Sequence, residues 1–414
     1  MVFSPVGLLA DFMDLCLGTK LGVFKRPANE QRKMGTMIKR ILHITPFFSP
    51  NIGGVESHLD DLCAFLKKQG HYQYVITFNP LTTQVEAPVI EKSRGMKIYR
   101  YWWLGDNLFH KLEPYPFLEF LYLTPYLFFR SLIFMIRNHR KVDVIHAHGL
   151  NAAFTAKFLK VIFKKRAIMS TYAIYNFKPD SFFSKIVAWV FSSLDEIQPL
   201  AKSSEKELLK IGVPEEKMRV YYLWVNEQEF KPADKKETKC ELGLKSKFLV
   251  LFVGRLIPIK GAEIIMEVAK RLSKVNFAFI GDGPLADKLK KEARGFSNIK
   301  FVGRVERELL KKYYQAADIF VLPSTYQEAF GKVAIEALFS GTPVIGANRG
   351  AIPDVISSQV GRVIEPTVDN FRREIEYLFQ HPSTLAKITR NCFPFALRRY
   401  TVKNAKIIEM GYYE

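Results

Sequence analysis

The feature that most constrains the fold of this 414-residue chain is an alternation of short apolar runs and helical segments that occurs twice. In its first occurrence, apolar runs lie at residues 38–45, 74–78, 142–146 and 167–171, and segments with helical spacing such as residues 55–68 lie between them. Continuous apolar strands that alternate with helices indicate a parallel sheet covered on both faces. The first occurrence therefore predicts one doubly wound α/β domain.

The same alternation restarts after a lysine-rich stretch of weak periodicity at residues 231–247, which we predict to be a linker. Apolar runs at residues 248–253 and 319–322 again alternate with helical segments. Two such domains place the carboxyl ends of their strands around one cleft, where open α/β sheets bind ligands. We therefore predict an α/β protein with two facing Rossmann-like domains, at residues 37–230 and 248–394.

The first 36 residues stand outside this alternation. Their apolar run is too short for the core of a secretory signal, and Asp11 interrupts it. We expect residues 1–36 to be a poorly ordered or appended segment. The alternative to a flexible extension is a start codon placed too far upstream, with Met34 or Met37 as the effective beginning of the protein.

Charge and cysteine content limit the classes of partner and compartment. The chain has 61 Lys and Arg against 41 Asp and Glu, a formal net charge of +20, which favours an anionic partner. The basic residues form no recognisable nucleic-acid reading motif, so we predict no nucleic-acid partner. The four cysteines lie far apart and form no Cys-x-x-Cys pair, which favours a reducing cytoplasm over a zinc site or a disulfide scaffold.

Two cations follow the first strand of the second domain, in the segment Gly254-Arg255-x4-Lys260-Gly261. The helix that begins there offers free N–H groups and a partial positive charge. A guanidinium fork, an ammonium group and backbone donors together suit a diphosphate. The alternative is a pair of solvated surface cations at a turn, and this segment by itself leaves both interpretations open.

Two carboxylates flank the predicted start of a later helix. Glu328 lies in the loop after the apolar run at residues 319–322, and Glu336 falls in the second turn of a helix that begins near Gly331. Helical side chains tilt toward the N-terminus, so both carboxylates can face one volume at the mouth of the helix. Carboxylates accept the paired hydroxyls of a sugar or ribose. For Glu336 alone, an ordinary interaction with the helix dipole is an equal alternative.

Together these segments make the chain resemble the retaining glycosyltransferases of family 4, the group 1 glycosyl transferases, from about residue 38 to the C-terminus. The strongest part is Glu328-x7-Glu336, the E-x7-E signature of that family. Other family-like segments are Gly53-Gly54, Val253-Gly254-Arg255, Lys260-Gly261, Gly281-Asp282-Gly283-Pro284, Gly341-Thr342-Pro343-Val344-Ile345 and Gly350-x2-Pro353-Asp354-Val355-Ile356.

The resemblance implies a domain organisation and a fold. The fold is GT-B, in which two facing Rossmann-like domains enclose the active-site cleft. Residues 37–230 would form the acceptor domain and residues 248–394 the nucleotide-sugar donor domain. Residues 395–414 would form a helix that crosses back to the N-terminal domain.

The resemblance also implies roles for the two motifs of the second domain. Arg255 and Lys260 would bind the donor diphosphate and stabilise the leaving group. Glu328 would hold hydroxyls of the transferred sugar, and Glu336 would hold the ribose of the donor nucleotide. The backbone N–H groups implied to assist Glu328 are those of Phe330, Gly331 and Lys332.

Further implied positions lie on loops and strand ends. Gly53-Gly54 would allow the first domain to approach the phosphates and acceptor closely, because glycine has no side chain in the way. The loop that carries Arg304 would lie against the nucleobase. His148 matches the family histidine near the reacting face of the sugar, with His146 as the alternative and a purely structural histidine equally open.

The resemblance and the charges together predict a mechanism. Transfer of a hexose from a nucleoside diphosphate sugar leaves negative charge on the diphosphate, and fixed cations stabilise it. The sequence has no Asp-x-Asp pair before a glycine-rich loop, so we predict a metal-independent enzyme with no cofactor. Retention of the anomeric configuration, by same-face attack assisted by the leaving phosphate, is implied by the family alone.

The sequence departs from the family pattern at two places on the acceptor or hinge side. Leu223-Trp224-Val225-Asn226 stands where many relatives carry Asn-Gly-Val-Asp. Tyr172 stands where relatives often place a histidine. These departures leave the donor chemistry intact and put the identity of the acceptor in doubt.

A dense aromatic segment at residues 101–136 is followed by several basic residues. Residues 117–136 are long enough to cross a bilayer, which takes about 20 residues, but Glu119, Pro125 and Arg130 lie inside them. A core helix of the first domain is the leading interpretation. The other is an interfacial surface with inserted aromatics and with cations on anionic lipid headgroups.

We therefore predict a cytoplasmic hexosyltransferase of glycan biosynthesis, with a glycan or lipid-linked acceptor and with an anionic membrane surface as a further partner. Two alternatives remain from the same residues. One is a nucleotide-sugar 2-epimerase of the same fold, which would convert the donor without any acceptor. The other is a non-catalytic protein that binds sugar nucleotides or membranes, which would bind the donor without turnover.

Overall fold

The computed structural model describes residues 37–51, 53–81, 83, 85–104, 108–112, 115–244 and 248–413. The predicted N-terminal segment, residues 1–36, lies outside the described residues. Two parallel sheets with flanking helices form the molecule, and both belong to one compact unit, Ile38–Glu414. The prediction of an α/β protein with two Rossmann-like domains is confirmed.

The first sheet has seven strands in the order β3-β4-β2-β1-β5-β6-β7. Its strands are β1 (Arg40–Ile44), β2 (Tyr72–Phe78), β3 (Ile90–Ser93), β4 (Met96–Tyr101), β5 (Val144–His148), β6 (Arg166–Ser170) and β7 (Glu196–Gln198). All neighbouring pairs are parallel except β3 and β4, which are antiparallel. The chain moves outward in opposite directions from β1 and β5, so the topological switch point of this sheet lies between those two strands.

Six helices accompany the first sheet. They are α1 (Gly54–Lys68), α2 (Leu108–Leu112), α3 (Pro116–Asn138), α4 (Leu150–Phe163), α5 (Phe182–Ser192) and α6 (Ala201–Lys210). Because side chains alternate along a strand, β1 presents Leu42 and Ile44 to the face covered by α3, α4 and α5. It presents Ile41 to the opposite face, where Leu62 of α1 packs.

The second sheet has six parallel strands in the order β10-β9-β8-β11-β12-β13. Its strands are β8 (Leu249–Val253), β9 (Asn276–Ile280), β10 (Ile299–Gly303), β11 (Ile319–Leu322), β12 (Val344–Ala347) and β13 (Gly361–Ile364). Its switch point lies between β8 and β11 by the same reasoning. The loops that follow β8 and β11 carry Lys260 and Glu328.

The helices after the first domain are α7 (Lys235–Glu241), α8 (Ala262–Arg271), α9 (Ala286–Glu292), α10 (Arg307–Ala316), α11 (Lys332–Phe339), α12 (Ile352–Val355), α13 (Val368–Gln380), α14 (Pro382–Arg399) and α15 (Lys403–Met410). Helix α7 lies inside residues 231–247, which the sequence predicts to be a linker. Its lysines are packed on the second domain: Lys239 pairs with Asp318, and Lys235 Nζ donates to the Ala317 carbonyl at 2.6 Å. The periodicity is weak because charged side chains, not apolar ones, make these contacts.

The C-terminal segment also differs in detail from a single helix over residues 395–414. Helix α14 ends at Arg399, and α15 follows as a separate element. The segment from α15 onward contacts the first domain: Gln198 Nε2 donates to the Ile408 carbonyl at 3.1 Å, and Glu409 Oε1 lies 2.9 Å from His71 Nε2. The chain therefore returns from the second domain to the first.

Candidate active site

A tight turn brings Lys260 to the switch point of the second sheet. After β8 the chain passes through Arg255 and one 3-10 turn, Pro258–Lys260, and Gly261 then starts α8 with φ +72°. A Cβ atom at Gly261 would lie 2.1 Å from the Pro323 carbonyl oxygen. Only glycine allows the turn to pack this closely against the end of β11. The sequence thus fixes Lys260 beside the loop that carries Glu328.

Lys260 and Glu328 form a compact charged cluster with Tyr326. The Lys260 ammonium donates to both Glu328 carboxylate oxygens, at 2.8 and 3.1 Å, and to the Tyr326 hydroxyl at 2.7 Å. Glu328 is buried. Burial and the neighbouring Glu328 charge raise the pKa of Tyr326, so its phenol stays protonated. The cluster holds one cation and one carboxylate in fixed positions at the strand ends.

The backbone of Glu328 is fixed as firmly as its side chain. Its carbonyl accepts a hydrogen bond from the Ala351 amide at 2.8 Å. Gly350, at φ +57°, lies so close that a Cβ atom there would be 2.2 Å from that carbonyl oxygen. The family-like glycine at 350 is therefore required by close packing against the loop, which holds Glu328 in place without a ligand.

The second carboxylate of the signature lies in α11. Glu336 accepts a hydrogen bond from the Tyr314 hydroxyl at 3.0 Å. Burial raises the pKa of Glu336 despite the nearby Lys332 charge. Gly331 starts α11 with φ +85°, and the first amides of a helix have no intrahelical acceptor. The first N–H groups of α11 therefore have no acceptor within the helix and can donate to a ligand.

Lys332 makes a contact that the sequence does not indicate. Its Nζ donates to Asp61 Oδ2 at 2.7 Å and to Ser57 Oγ at 3.2 Å, both on α1 of the first domain. The two domains therefore meet through an ion pair beside the signature. The pair joins side chains far apart in the chain, and no local pattern could reveal it.

The loop at Gly53-Gly54 begins α1. Gly53 is extended, and a Cβ atom there would lie 2.3 Å from Glu56 Oε2, so the Glu56 carboxylate lies back against this glycine. Burial raises the pKa of Glu56, and the positive charge of Arg255 in the other domain opposes that shift. The sequence analysis does not single out Glu56, although an acid in the first turn of a helix is a recognisable signal.

Arg255 and Arg304 make no hydrogen bond to the Lys260–Glu328 cluster, although the charge of Arg255 lowers the pKa of Tyr326 in it against the larger effect of burial. Both side chains are exposed, and among the described residues neither has a hydrogen-bond partner. Arg304 follows β10, at the same carboxyl edge of the sheet as Lys260. Two free guanidinium groups at this edge can bind an incoming anion without first breaking an existing bond.

Three histidines occupy the switch point of the first sheet. His43 lies on β1, and His146 and His148 lie on the adjacent β5, all buried and with candidate ligand atoms within 4.8 Å of one another. His43 Nδ1 is 2.9 Å from His148 Nε2, and His148 Nδ1 is 2.8 Å from the Tyr172 hydroxyl. The tyrosine that departs from the family pattern thus contacts the predicted catalytic histidine.

His146 belongs to the same layer and faces other partners. Its ring nitrogens lie 2.9 Å from the Tyr412 hydroxyl and 2.8 Å from Ser170 Oγ. Burial lowers the pKa of His43 to about 3 and holds the pKa values of His146 and His148 well below the ordinary value. These shifts favour the neutral form of each ring, which can donate or accept a hydrogen bond and can also bind a metal ion. His43 was not predicted, although its position on a strand beside β5 was available from the sequence.

Phe330 takes a packing position as well as a place in the loop. Its ring is buried and lies 5.9 Å from Tyr222 and 6.0 Å from Tyr400, measured between ring centroids. The three rings hold the start of α11 against the segment that joins the domains. Any ligand contact by Phe330 would therefore involve its backbone.

Comparison with known proteins places this arrangement among sugar-transferring enzymes. The Glycosyltransferase Family 4 model matches residues 52–229, and the model of Glycosyl transferases group 1 matches residues 234–393. An uncharacterized glycosyltransferase of Methanocaldococcus jannaschii is 28% identical over 392 residues, which cover 89% of this chain and 92% of the relative.

Two further comparisons extend the likeness to a eukaryotic relative and to a solved structure. The GPI3 subunit of the phosphatidylinositol N-acetylglucosaminyltransferase of Saccharomyces cerevisiae is 22% identical over 342 residues, or 79% of this chain and 72% of the relative. Anabaena HepE in complex with UDP superposes with a TM-score of 0.70 at 20% identity, covering 90% of this chain and 99% of that chain. The chain therefore belongs to the glycosyltransferases of the GT-B fold, with a family 4 region over its first domain and a group 1 region over its second.

Proposed function

We propose that the protein transfers a hexose from a nucleoside diphosphate sugar to a glycan or lipid-linked acceptor, with retention of configuration and without a metal ion. The observation that carries this proposal is the Lys260–Glu328–Tyr326 cluster at the switch point of the second sheet. It combines a fixed cation for a leaving phosphate with a fixed carboxylate for sugar hydroxyls. Membership of the GT-B glycosyltransferases supports the reaction class.

The proposed roles follow from charge. Cleavage of the bond between the anomeric carbon and the diphosphate oxygen leaves negative charge on the diphosphate. Arg255, whose guanidinium group has no hydrogen-bond partner among the described residues, and Lys260 would bind that group and take the role that a divalent cation has in other enzymes. The acceptor hydroxyl then bonds to the anomeric carbon, and its proton passes to the departing phosphate.

The remaining groups would position the donor. Glu328 would accept bonds from sugar hydroxyls, assisted by the amides at the start of α11. Glu336 would accept the ribose hydroxyls, and Arg304 would lie against the base. His148, on the first domain, would hydrogen-bond the sugar through its neutral ring. Both of its ring nitrogens already have a partner, so it would have to give up its hydrogen bond with His43 or with Tyr172 to bind the sugar. Gly53-Gly54 would leave room for the phosphates.

Names of similar proteins support two parts of the proposal. The HepE structures contain UDP or UDP-glucose, which favours a nucleotide-sugar donor. The phosphatidylinositol N-acetylglucosaminyltransferase and a D-inositol 3-phosphate glycosyltransferase, 36% identical over 147 residues, act on inositol-containing acceptors by their names. A cytoplasmic enzyme at the membrane surface, acting on a lipid-linked acceptor, fits the first of these names, whereas D-inositol 3-phosphate is not a lipid.

A thermal-shift panel of UDP, GDP, ADP and their hexose conjugates, with and without EDTA, tests the donor half. We expect one nucleotide family to stabilise the protein equally in both conditions. Stabilisation that EDTA abolishes would contradict the metal-free clamp. Incubation with the stabilising conjugate, followed by proton NMR of the anomeric signal, then tests the reaction: an isomerised sugar nucleotide would favour the 2-epimerase, and binding without any turnover would favour a non-catalytic protein.

A further inference from the structure

The outward side of helix α3 is apolar, although it faces solvent. Its outward positions form a stripe at helical spacing, which we call the apolar stripe: Leu118, Leu121, Pro125, Phe129, Ile133 and Ile136. The five large side chains among them are between 43% and 60% exposed. A surface helix of a globular protein normally carries polar residues on this side, so the stripe lacks a partner among the described residues.

The inward side of α3 belongs to the core. Leu123, Leu127, Phe134 and Met135 are buried in the cluster that covers the first sheet. By length and composition, Phe117–Lys141 would pass as a membrane span, yet a third of its most apolar window is buried in the protein. Insertion across a bilayer would remove the cover of the sheet. Helix α3 is therefore placed to lie on an apolar surface and not to cross it.

The apolar area extends onto the neighbouring helices. On α4, Val161 and Ile162 are exposed, and on α5 Phe182 and Trp189 are exposed. Helix α4 packs against both α3 and α5, so the three helices form one layer on the same face of the sheet. The patch is thus wider than one helix and includes an aromatic ring of the kind that sits at membrane interfaces.

An open basic depression of the surface, which we call the basic cavity, adjoins this layer at the end of α4. It has a volume of about 340 Å³ and is lined by Lys160, Lys164, Lys165, Arg166 and Asp195. Asp195 pairs with Lys160 at 2.7 Å, and within the described chain the ammonium groups of Lys164 and Lys165 have no carboxylate partner. Arg166 lies 3.9 Å from the Glu196 carboxylate, so the cations left for an anionic headgroup are Lys164 and Lys165. They lie next to exposed Val161 and Ile162, which suits a headgroup beside acyl chains.

The patch has a defined relation to the cleft. Helix α3 lies between β4 and β5 in the chain, and these two strands run in the same direction, because β4 is parallel to β2, β2 to β1 and β1 to β5. The helix must therefore run from the carboxyl edge of the sheet, where the cleft lies, to the amino edge, where Lys165 precedes β6. The apolar stripe therefore runs from the cleft edge toward the amino edge of the sheet, the edge at which the basic cavity lies.

We propose that this face docks on an anionic lipid bilayer, with the apolar stripe inserted among the headgroups and the basic cavity bound to a lipid phosphate. Complementarity of charge selects this occupant, since a bilayer supplies both an apolar layer and a negative surface potential. Docking would bring the cleft edge of α3 close to a lipid-linked acceptor. Only this consequence rests on the proposed function.

Sedimentation of the full chain with lipid vesicles tests the proposal. We expect binding to vesicles of equal parts phosphatidylcholine and phosphatidylglycerol, and at least ~10-fold weaker partition to pure phosphatidylcholine. The double variant Lys164→Ala, Lys165→Ala should lower the partition about 30-fold, because each cation near the surface contributes about 1 kcal/mol. The double variant Phe129→Ser, Ile133→Ser should lower it on the order of 100-fold, from the loss of inserted apolar area.

Matched controls lie on the second domain. Lys290 and Lys291 of α9 are exposed, as are Leu309 of α10 and Tyr377 of α13. The pair Lys290→Ala, Lys291→Ala and the pair Leu309→Ser, Tyr377→Ser change charge and apolarity equally but should leave the partition unchanged. Equal losses in these controls would overturn the assignment of the surface.

Other occupants give different results. A dimer in light scattering that Phe129→Ser, Ile133→Ser dissociates would mean that a second copy covers the stripe, and would overturn the proposal. Stabilisation by inorganic phosphate without any vesicle binding would mean a free anion in the basic cavity, with the same consequence. The nucleotide panel needs no lipid, so loss of nucleotide binding with intact vesicle binding would count against the proposed function alone.

Discussion

The two sheets place different chemistry at equivalent positions. At the switch point of the second sheet, between β8 and β11, a lysine and a carboxylate form a charged cluster. At the switch point of the first sheet, between β1 and β5, His43 and His148 are in contact and both are neutral. One half of the cleft thus has the fixed charges that a phosphate needs, whereas the other has uncharged hydrogen-bonding groups.

This difference indicates that the two domains have different roles in binding the substrates. Charge development at the leaving diphosphate calls for cations, and they lie on the second domain. Recognition of sugar or acceptor hydroxyls calls for neutral donors and acceptors, and the first domain supplies them in its histidine layer, His43, His146 and His148. Substitutions in the charged cluster of the second domain and in the histidine layer of the first domain should therefore have effects that differ in kind as well as in size.

The largest effect is expected at the charged cluster. Replacement Lys260→Ala should reduce turnover about 100- to 1,000-fold, the range found when a preorganised electrostatic contact to developing charge is lost. Initial rates of nucleoside diphosphate release measure it, and Lys274→Ala, an exposed lysine of the same domain, is the matched control. Near-normal turnover would refute the phosphate role of Lys260.

Loss of Lys260 also removes the cation from buried Glu328, so the variant should unfold at a lower temperature. Replacement Arg255→Ala separates the two effects, because that side chain is exposed and has no hydrogen-bond partner among the described residues. It should lower turnover with an unchanged unfolding temperature. A fall in stability without a fall in turnover would show that Arg255 is structural.

Substitutions in the histidine layer should lower turnover less than Lys260→Ala does, and the two members of the layer on β5 should differ in the size of this effect. We expect His148→Ala to lower turnover about 10- to 100-fold and His146→Ala to change it by less than about 5-fold, since His146 faces Tyr412 and Ser170. Both should cost roughly 1–3 kcal/mol of unfolding free energy by leaving buried partners unpaired. Rates and urea titrations on both variants measure this, and the reverse order would assign the role to His146.

Loss of the Lys332–Asp61 ion pair between the domains should lower turnover less than loss of His148 does. Replacement Lys332→Ala keeps the backbone amide at the start of α11 and removes the ion pair to Asp61, which is partly exposed and worth about 0–1 kcal/mol. We expect turnover to stay within about 5-fold of wild type, and Asp61→Ala to behave alike. A double variant no worse than either single one would confirm the coupling, whereas a loss near that of Lys260→Ala would mean that the Lys332 ammonium contacts the donor.

The smallest effect concerns stability and pH. The pKa of Glu336 is raised by burial, so the folded state holds its proton to higher pH than the unfolded state does. We therefore compare the free energy of unfolding of the wild type with that of Glu336→Gln. The difference should be constant below the ordinary carboxyl pKa. As the pH rises from that pKa to the raised pKa of Glu336, the wild type should lose stability relative to the variant. Thermal unfolding of both proteins from acid to neutral pH measures the difference, and a difference of opposite slope would contradict it.

The charged switch point can be predicted from the sequence because its parts are local. Lys260 and Glu328 each lie a few residues beyond an apolar run, and Gly261 and Gly350 mark the close packing around them. Helix α7 cannot be predicted from apolar periodicity because lysines make its contacts. The Lys332–Asp61 pair cannot be predicted from a local pattern because its two residues lie in different domains.

The first domain is harder to predict for a related reason. Its histidines lie in apolar strands and have no motif of their own, so His43 appears only when β1 and β5 are known to be neighbours. From its composition the aromatic segment favours a core helix and leaves an interfacial surface as the other interpretation. The structure assigns one side of α3 to the core and leaves the other side exposed.

The central claim is that two side chains, and no metal ion, hold the donor diphosphate. The most direct test is calorimetric titration of a nucleoside diphosphate and its monophosphate, in EDTA, with the wild type and with Arg255→Ala. We predict that the wild type binds the diphosphate at least ~10-fold more tightly than the monophosphate, and that the variant loses most of this difference. Equal affinity for the two nucleotides in the wild type, or a difference that appears only when a divalent cation is added, would contradict the claim.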